Sequence, residues 1–261
     1  MRRPGRPDDS PAEANGIARD RLLGGRVRLW QPSTGYRANV DTLILGDFAA
    51  VLRPRARHVV DLGAGVGALS LAFSHFGAGK HFALVEREPG LTALATRNLS
   101  EAGLDGAAHV ADLVTAGLPD VLHGWADVVL CNPPFFADDP LSAPANALRR
   151  GARSGRVEPF LHAAESAMAR RAYAFFVYPA PALPELLAAA RAANLVAKRL
   201  RFVHAFANSP ARLALVELRR ARPGGLVIDP PLIEWTAPGV RSREVKALVS
   251  GGERPEGPAT R

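Results

Sequence analysis

The chain has 261 residues, 48% of them hydrophobic and 22% charged, so it is globular and about the size of one domain with loose ends. Its single cysteine, Cys131, excludes an internal disulfide and with it a disulfide-stapled secreted scaffold. A formal net charge of +8, from 33 Lys and Arg against 25 Asp and Glu, favours a polyanionic partner such as nucleic acid.

Met1–Asp20 is rich in Pro, Arg, Asp and Glu and almost without large apolar residues, which predicts a disordered tail. Its start, Met1-Arg2-Arg3-Pro4, hints at a twin-arginine signal, but the polar, acidic stretch Gly5–Asp20 follows in place of an apolar region. No run of eighteen uninterrupted apolar residues is present, so no membrane span is expected and the cytoplasm is the simplest compartment. Residues 21–55 form an entry segment, and 56–249 carry alternating strand and helix signals. Residues 250–261 read as a second tail.

Short, β-rich apolar runs lie at His58–Leu62, His81–Val85, Ala108–Val110, Asp127–Cys131 and Ala172–Tyr178. They lack strict alternation, as strands buried on both faces of a parallel sheet should. Helical stretches lie at Ala68–Phe76, Leu91–Glu101, Phe160–Ala169 and Leu183–Ala193. Lys198–Ala205 and Arg212–Leu218 read as two closing strands, and Leu226–Trp235 as one more that Asp229-Pro230-Pro231 breaks. The order β-α-β-α predicts an open, doubly wound α/β sheet with its ligand at the carboxyl ends of the strands.

The run Val59-Val60-Asp61-Leu62-Gly63-Ala64-Gly65-Val66-Gly67-Ala68-Leu69 is a strand, a glycine turn and a helix start. Gly63 and Gly65 let the backbone approach a ligand with no Cβ in the way. Glu86 ends the next strand, where a carboxylate accepts hydrogen bonds from both hydroxyls of a ribose. Asp112 follows the third strand, in reach of an adenine amino group. The run also satisfies the dinucleotide fingerprint G-x-G-x-x-G/A, with Ala68 last. Asp-Leu-Gly-x-Gly-x-Gly nevertheless looks more like the S-adenosylmethionine site of a class I methyltransferase than a nicotinamide site.

Asn132-Pro133-Pro134-Phe135 follows the strand Asp127–Cys131. Two prolines fix the backbone beneath the Asn132 amide. The Asn132 oxygen and the Pro133 or Pro134 carbonyl can accept from one planar NH2 group, and Phe135 can stack on a flat substrate. Such an assembly suits methylation of a conjugated nitrogen, whose delocalised lone pair is a poor nucleophile: two acceptors hold the NH2 and favour the positive charge that develops on it.

With the entry segment Gln31-Pro32-Ser33-Thr34-Gly35-Tyr36-Arg37-Ala38-Asn39-Val40-Asp41-Thr42-Leu43-Ile44-Leu45-Gly46, these motifs resemble the bacterial tRNA1(Val) adenine-N6 methyltransferase family over about Arg21–Leu218. The resemblance implies a seven-stranded, mostly parallel, Rossmann-like sheet and methyl transfer to an adenosine next to the anticodon. It implies that Asp61, Gly63, Gly65 and Gly67 frame S-adenosylmethionine, with Glu86 on its ribose and Asp112 on its adenine. Asn132, Pro133, Pro134 and Phe135 would hold the base. Arg37 could pair with the methionine carboxylate, although an exposed surface arginine is at least as good a reading. Asp41 and Thr42 match the family only loosely.

Arg149, Arg150, Arg153 and Arg156 follow the Asn132 motif with no acid between Asp139 and Glu158, a candidate RNA-phosphate surface. Two further groups, Lys198/Arg199/Arg201 and Arg219/Arg220/Arg222, read as solvated faces. The seven histidines show no metal-ligand spacing, so no metal is expected. Two other activities stay open: glutamine N5-methylation of release factors, disfavoured by the short segment before Asp61, and guanine-N2 methylation of rRNA, disfavoured by a length of one domain.

Overall fold

The computed structural model describes residues 16–34, 37–134, 157–220 and 224–252. A hairpin opens it: β1 (Ile17–Leu22) pairs antiparallel with β2 (Val27–Pro32). Helix α1 (Val40–Leu52) follows, then β3 (His58–Leu62), α2 (Ala68–His75), β4 (His81–Glu86), α3 (Pro89–Glu101), β5 (Asp105–Val110) and β6 (Ala126–Cys131). The second half runs α4 (Glu158–Ala167), β7 (Met168–Pro179), α5 (Leu183–Ala192), β8 (Leu195–His204), β9 (Ala211–Arg220) and β10 (Val227–Ile233). A short ribbon, β11 (Trp235–Ala237) with β12 (Val240–Arg241), and helix α6 (Arg243–Ser250) close it.

The main sheet has eight strands in the order β10-β8-β9-β7-β6-β3-β4-β5. All neighbours are parallel except β9, which runs against β7 and β8. The expected count of seven is therefore corrected to eight, the addition being β10 at the edge. Its Asp229-Pro230-Pro231 does not end the strand; the register shifts between Asp229 and Leu232, because prolines give no ladder N–H and are tolerated at an edge through a bulge.

The central strands are buried along most of their length, as the absence of alternation predicted; in β3 only His58 is partly open. One core layer joins Val59 and Leu84 to α1, α2, α3, α6 and the hairpin. The other joins Val60, Leu62 and Val129 to α4 and α5. Consecutive residues of one strand thus feed opposite layers. Strand β5 is the exception, an exposed edge strand.

Both expected tails give up residues to the fold. Ile17–Asp20 belong to β1, and Asp20 accepts from Gln31 Nε2 at 2.6 Å. Ser250 ends α6, and Gly251 is buried in a left-handed cap, where a Cβ would lie 2.7 Å from the Leu23 carbonyl oxygen.

The entry segment proves structured throughout its described length. Asn39 caps α1, and the helix is buried nearly all round, with Leu43, Ile44, Leu45, Phe48, Ala49 and Ala50 closed to solvent. Gly46 lets it lie close on α2, since a Cβ there would meet that of Ala72 at 3.0 Å. A buried side chain of α3 fastens the hairpin, beside Glu101, which accepts from Trp30 Nε1 at 2.7 Å and pairs with Arg19 at 3.0 Å. Buried Asn98 on α3 accepts from Trp30 N at 2.7 Å and donates to the carbonyls of Trp30 and Val66, each at 2.9 Å. Asn98→Ala strands three buried backbone groups, so it should lower the unfolding free energy by about 2–4 kcal/mol in urea titration.

Candidate functional site

The glycine turn joins β3 to α2 at the carboxyl end of the sheet. Gly63, Gly65 and Gly67 have φ of 68°, 55° and 82°, a region that strains any side-chain-bearing residue. The N–H groups of Gly63 and Ala64 donate to the Val85 carbonyl at 2.9 and 3.1 Å, tying the turn to the end of β4. Gly67 has a packing reason as well: a Cβ there would lie 2.8 Å from Leu84.

Two carboxylates flank the turn. Glu86 accepts from Gly65 N at 2.9 Å on one oxygen and from Glu88 N at 3.0 Å on the other. An ionised carboxylate has about four acceptor positions, so this buried group keeps capacity toward a ligand. Asp61, also buried, accepts from Ser70 N at 3.2 Å and Ser70 Oγ at 2.8 Å, which fixes the first turn of α2 beneath the glycines. Burial pushes the Asp61 carboxyl up to about 7, against the two Ser70 hydrogen bonds that lower it and with a further push from Glu86. Asp112 lies just past β5 and accepts from Val114 N at 2.9 Å. The preceding Ala111 N–H donates to the Glu86 carbonyl at 2.9 Å, which holds the two acids' segments together.

Asn132 and Pro133 stand at the carboxyl end of β6, beside β3, with Pro133 buried and Pro134 exposed. Asn132 Nδ2 donates to Thr42 Oγ1 on α1 at 3.2 Å. A narrow cleft brings the two motifs together: Ala38, Thr42, Asp61, Gly63, Ala64, Val66, Ala68, Leu69 and Asn132 line it. The helix end that carries Thr42 is clamped from outside. Arg212 on β9 donates to Asp41 at 2.6 Å and holds Glu234 through two contacts. Burial works against the Arg212 charge, but hydrogen bonds to Glu234 and Asp41 outweigh it and hold the guanidinium above its ordinary value.

The structure therefore brings Asp61, Gly63 and Asn132 into one cleft, with Gly65 and Gly67 on its glycine turn, Glu86 at the end of β4 bonded to Gly65, and Asp112 on the segment bonded to Glu86. Arg37 is placed differently from the expectation: it pairs with Asp20 and donates to the Ser33 carbonyl at 3.3 Å, outside the cleft lining. The carboxylate of β1 thus takes up the guanidinium that the sequence offered to a ligand. Phe135, Arg149, Arg150 and Arg153 lie outside the described residues.

Among the described residues, the other basic groups have internal partners, while Arg222 lies outside the described residues. Lys198 reaches the Gly224 carbonyl, Arg199 pairs with Asp229, Arg201 forks onto both oxygens of Glu244, and Arg220 pairs with Glu165. Arg219 and Arg53 lie over the Tyr173 ring at 4.3 and 3.2 Å from its centroid. Cys131 is a buried strand residue whose thiol is pushed up by burial and by Asp61. Thr42, named from the sequence only as a loose family match, and Asn98, not named at all, are the residues to which sequence reasoning assigned no role. The Asn39-x-x-Thr42 cap spacing was a visible signal for Thr42; for Asn98 there was none.

A raised carboxyl contributes stability that is full below its unfolded value of about 4 and lost as pH rises through the folded value. Wild-type unfolding free energy should thus fall between about pH 4 and about pH 7, and Asp61→Asn should flatten that fall in urea titrations at fixed ionic strength.

Residues 42–152 match the family model described as the methyltransferase small domain. The chain is similar to the tRNA1(Val) (adenine(37)-N6)-methyltransferases of Shewanella sp. strains MR-4 and MR-7. Each is 27% identical over 192 residues, covering 71% of this chain and 79% of the relative. Among solved structures it shares the fold of a protein from Agrobacterium tumefaciens titled a predicted O-methyltransferase (TM-score 0.60, 22% identity, 81% of this chain and 96% of that one). It also shares the fold of the T. thermophilus 16S rRNA N2 G1207 methyltransferase bound to AdoMet and guanosine (TM-score 0.54, 18% identity, 82% of this chain and 53% of that one).

Proposed function

We propose that this methyltransferase domain transfers the methyl group of S-adenosylmethionine to the N6 amino group of an adenosine in tRNA. The observation that carries the reading is the convergence of Asn132 with Asp61 and the glycine turn in one cleft at the carboxyl end of the sheet. The likeness to the two Shewanella enzymes supplies the substrate class.

The residues present fit the cofactor. Two buried carboxylates and a turn of left-handed glycines suit a cationic donor carrying a ribose and an amino acid moiety. Bound there, S-adenosylmethionine supplies an electrophilic methyl group on a sulfonium. Glu86 holds the ribose hydroxyls with the acceptor positions that Gly65 and Glu88 leave. Asp112 accepts from the adenine amino group. Asp61 faces the positive end of the donor and ionises in its presence. Arg37 has no part in the cofactor site.

Asn132 and the carbonyl of Pro133 or Pro134 accept the two N–H bonds of the target amino group. They would orient its nitrogen toward the donor and favour the charge that forms as the nitrogen becomes tetrahedral. As the N–CH3 bond formed, the S–CH3 bond would break to leave a neutral thioether, and the surplus N–H proton would then pass to solvent water, so no strong base is required. Phe135 stacks on the flipped base, where stacking is worth about 1–3 kcal/mol and offsets part of the unstacking penalty. Arg149, Arg150 and Arg153 hold phosphates, which makes binding salt-dependent.

Purified protein with radiolabelled S-adenosylmethionine and separate pools of small RNA and total protein tests the reading. Label is expected in RNA and, by nucleoside mass spectrometry, in N6-methyladenosine. Label in a release-factor-sized protein, or in N2-methylguanosine, would replace it. Asn132→Ala should lower turnover by about a hundredfold or more while the cofactor Kd changes little. Glu86→Ala should weaken cofactor binding about tenfold or more in calorimetry. Cofactor affinity should also rise with pH through about 7 as Asp61 ionises, and Asp61→Asn should remove that rise.

A further inference from the structure

A primary amide in an active site has a polarity problem: its oxygen and nitrogen are nearly equal in size, and its two flips present opposite groups to the substrate. For Asn132 to hold an amino group, its oxygen must face the substrate. The inverted amide would set NH2 against NH2.

We infer that Thr42 is a positioning residue that sets the orientation of the Asn132 amide through a hydrogen-bond relay starting at the cap of α1. The inference rests on the reading of Asn132 as the residue that holds the target amino group.

The relay has one end whose polarity admits no choice. The backbone N–H of Thr42 can only donate, and it donates to the side chain of Asn39 at 3.2 Å. The Asn39 atom at that position is therefore Oδ1, which has no proton. Thr42 Oγ1 lies 3.3 Å from the same Oδ1, an atom that can only accept, so the hydroxyl proton has its partner there. With that proton committed, the Thr42 oxygen can only accept toward its other neighbour. That neighbour is the Asn132 amide at 3.2 Å, which must present Nδ2. The Asn132 carbonyl is thereby turned away from α1. The base of the relay is held still: Thr42 is buried, and Arg212 clamps Asp41 beside it. Thr42 and Asn132 both line the cleft, so the relay acts at its wall and not through a distant element.

The test compares Thr42→Val, which keeps the shape and removes the hydroxyl, with Thr42→Ser, which keeps the hydroxyl. Three readouts apply: steady-state methyl transfer to RNA, cofactor Kd by calorimetry, and the Asn132 side-chain NH2 resonances in 15N NMR, assigned by their loss in Asn132→Ala. Thr42→Val should lower kcat about tenfold or more with the cofactor Kd within about twofold, and Thr42→Ser should restore most of the rate. The Asn132 NH2 pair should shift in Thr42→Val and stay near its wild-type position in Thr42→Ser.

Wild-type kcat in Thr42→Val, equal loss in Thr42→Ser, or unmoved NH2 resonances in Thr42→Val would each overturn the relay. Asn132→Ala separates the two levels. If it is inactive while Thr42→Val is normal, the relay fails and the role of Asn132 stands. If Asn132→Ala turns over normally, the reading of Asn132 itself fails. The NMR arm reports on the relay in the protein with or without turnover.

Discussion

The turn after β3 is held from three sides, and the rest of the site depends on that. Backbone N–H and C=O groups that leave a parallel sheet at its carboxyl edge lose their ladder partners and must find others. Here Gly63 and Ala64 find the end of β4, Gly65 finds the Glu86 carboxylate, and the Val66 carbonyl finds Asn98. Asp61 completes the anchorage by fixing Ser70 in the first turn of α2. A loop satisfied in this way is rigid before any ligand arrives, which is what close binding of a flexible donor needs. Glu86, at the end of its strand, thus shapes the turn through a single carboxylate.

The second wall of the cleft comes from the opposite direction in the chain. Helix α1 precedes the sheet in sequence, yet its first turn meets Asn132 at the end of β6 and Arg212 on β9. The Arg212 bridge between Asp41 and Glu234 joins the entry helix, a closing strand and the segment after β10. It places a cation beside two carboxylates, whose hydrogen bonds outweigh the burial that works against the Arg212 charge. Several other basic groups among the described residues are likewise used inside the molecule. Lys198, Arg199, Arg201 and Arg220 meet acids or carbonyls at strand and helix boundaries.

Much of the alternating architecture was legible in advance. The strand predicted at His58–Leu62 is β3 to the residue, and the other central strands differ only at their ends, because β-rich runs bounded by glycine, proline and acid leave little choice. Helix α1 gave no comparable signal: it is buried nearly all round and so lacks an apolar stripe against a polar one. The hairpin was read partly as tail because Ile17–Asp20 is polar in isolation. It becomes a strand only by pairing with Val27–Pro32 and by the hold of Asn98 on Trp30. The eighth strand was visible at Leu226–Trp235 but read as broken by its prolines, which an edge strand tolerates through a bulge.

By itself, the sequence determined the chemistry-bearing groups: a glycine turn with Asp61, an acid at the end of β4, and Asn132 rigidified by Pro133 and Pro134. Those are local properties of a backbone and its neighbours in the chain, and composition and spacing encode them. Only the tertiary structure decided which groups face each other. It assigned Arg37 to Asp20, the basic groups around β8 and β9 to internal partners, and Thr42 to Asn132. Pairings of this kind join residues far apart in sequence. Their selection rests on burial and on the direction of single hydrogen bonds, neither of which leaves a periodic trace in the order of residues.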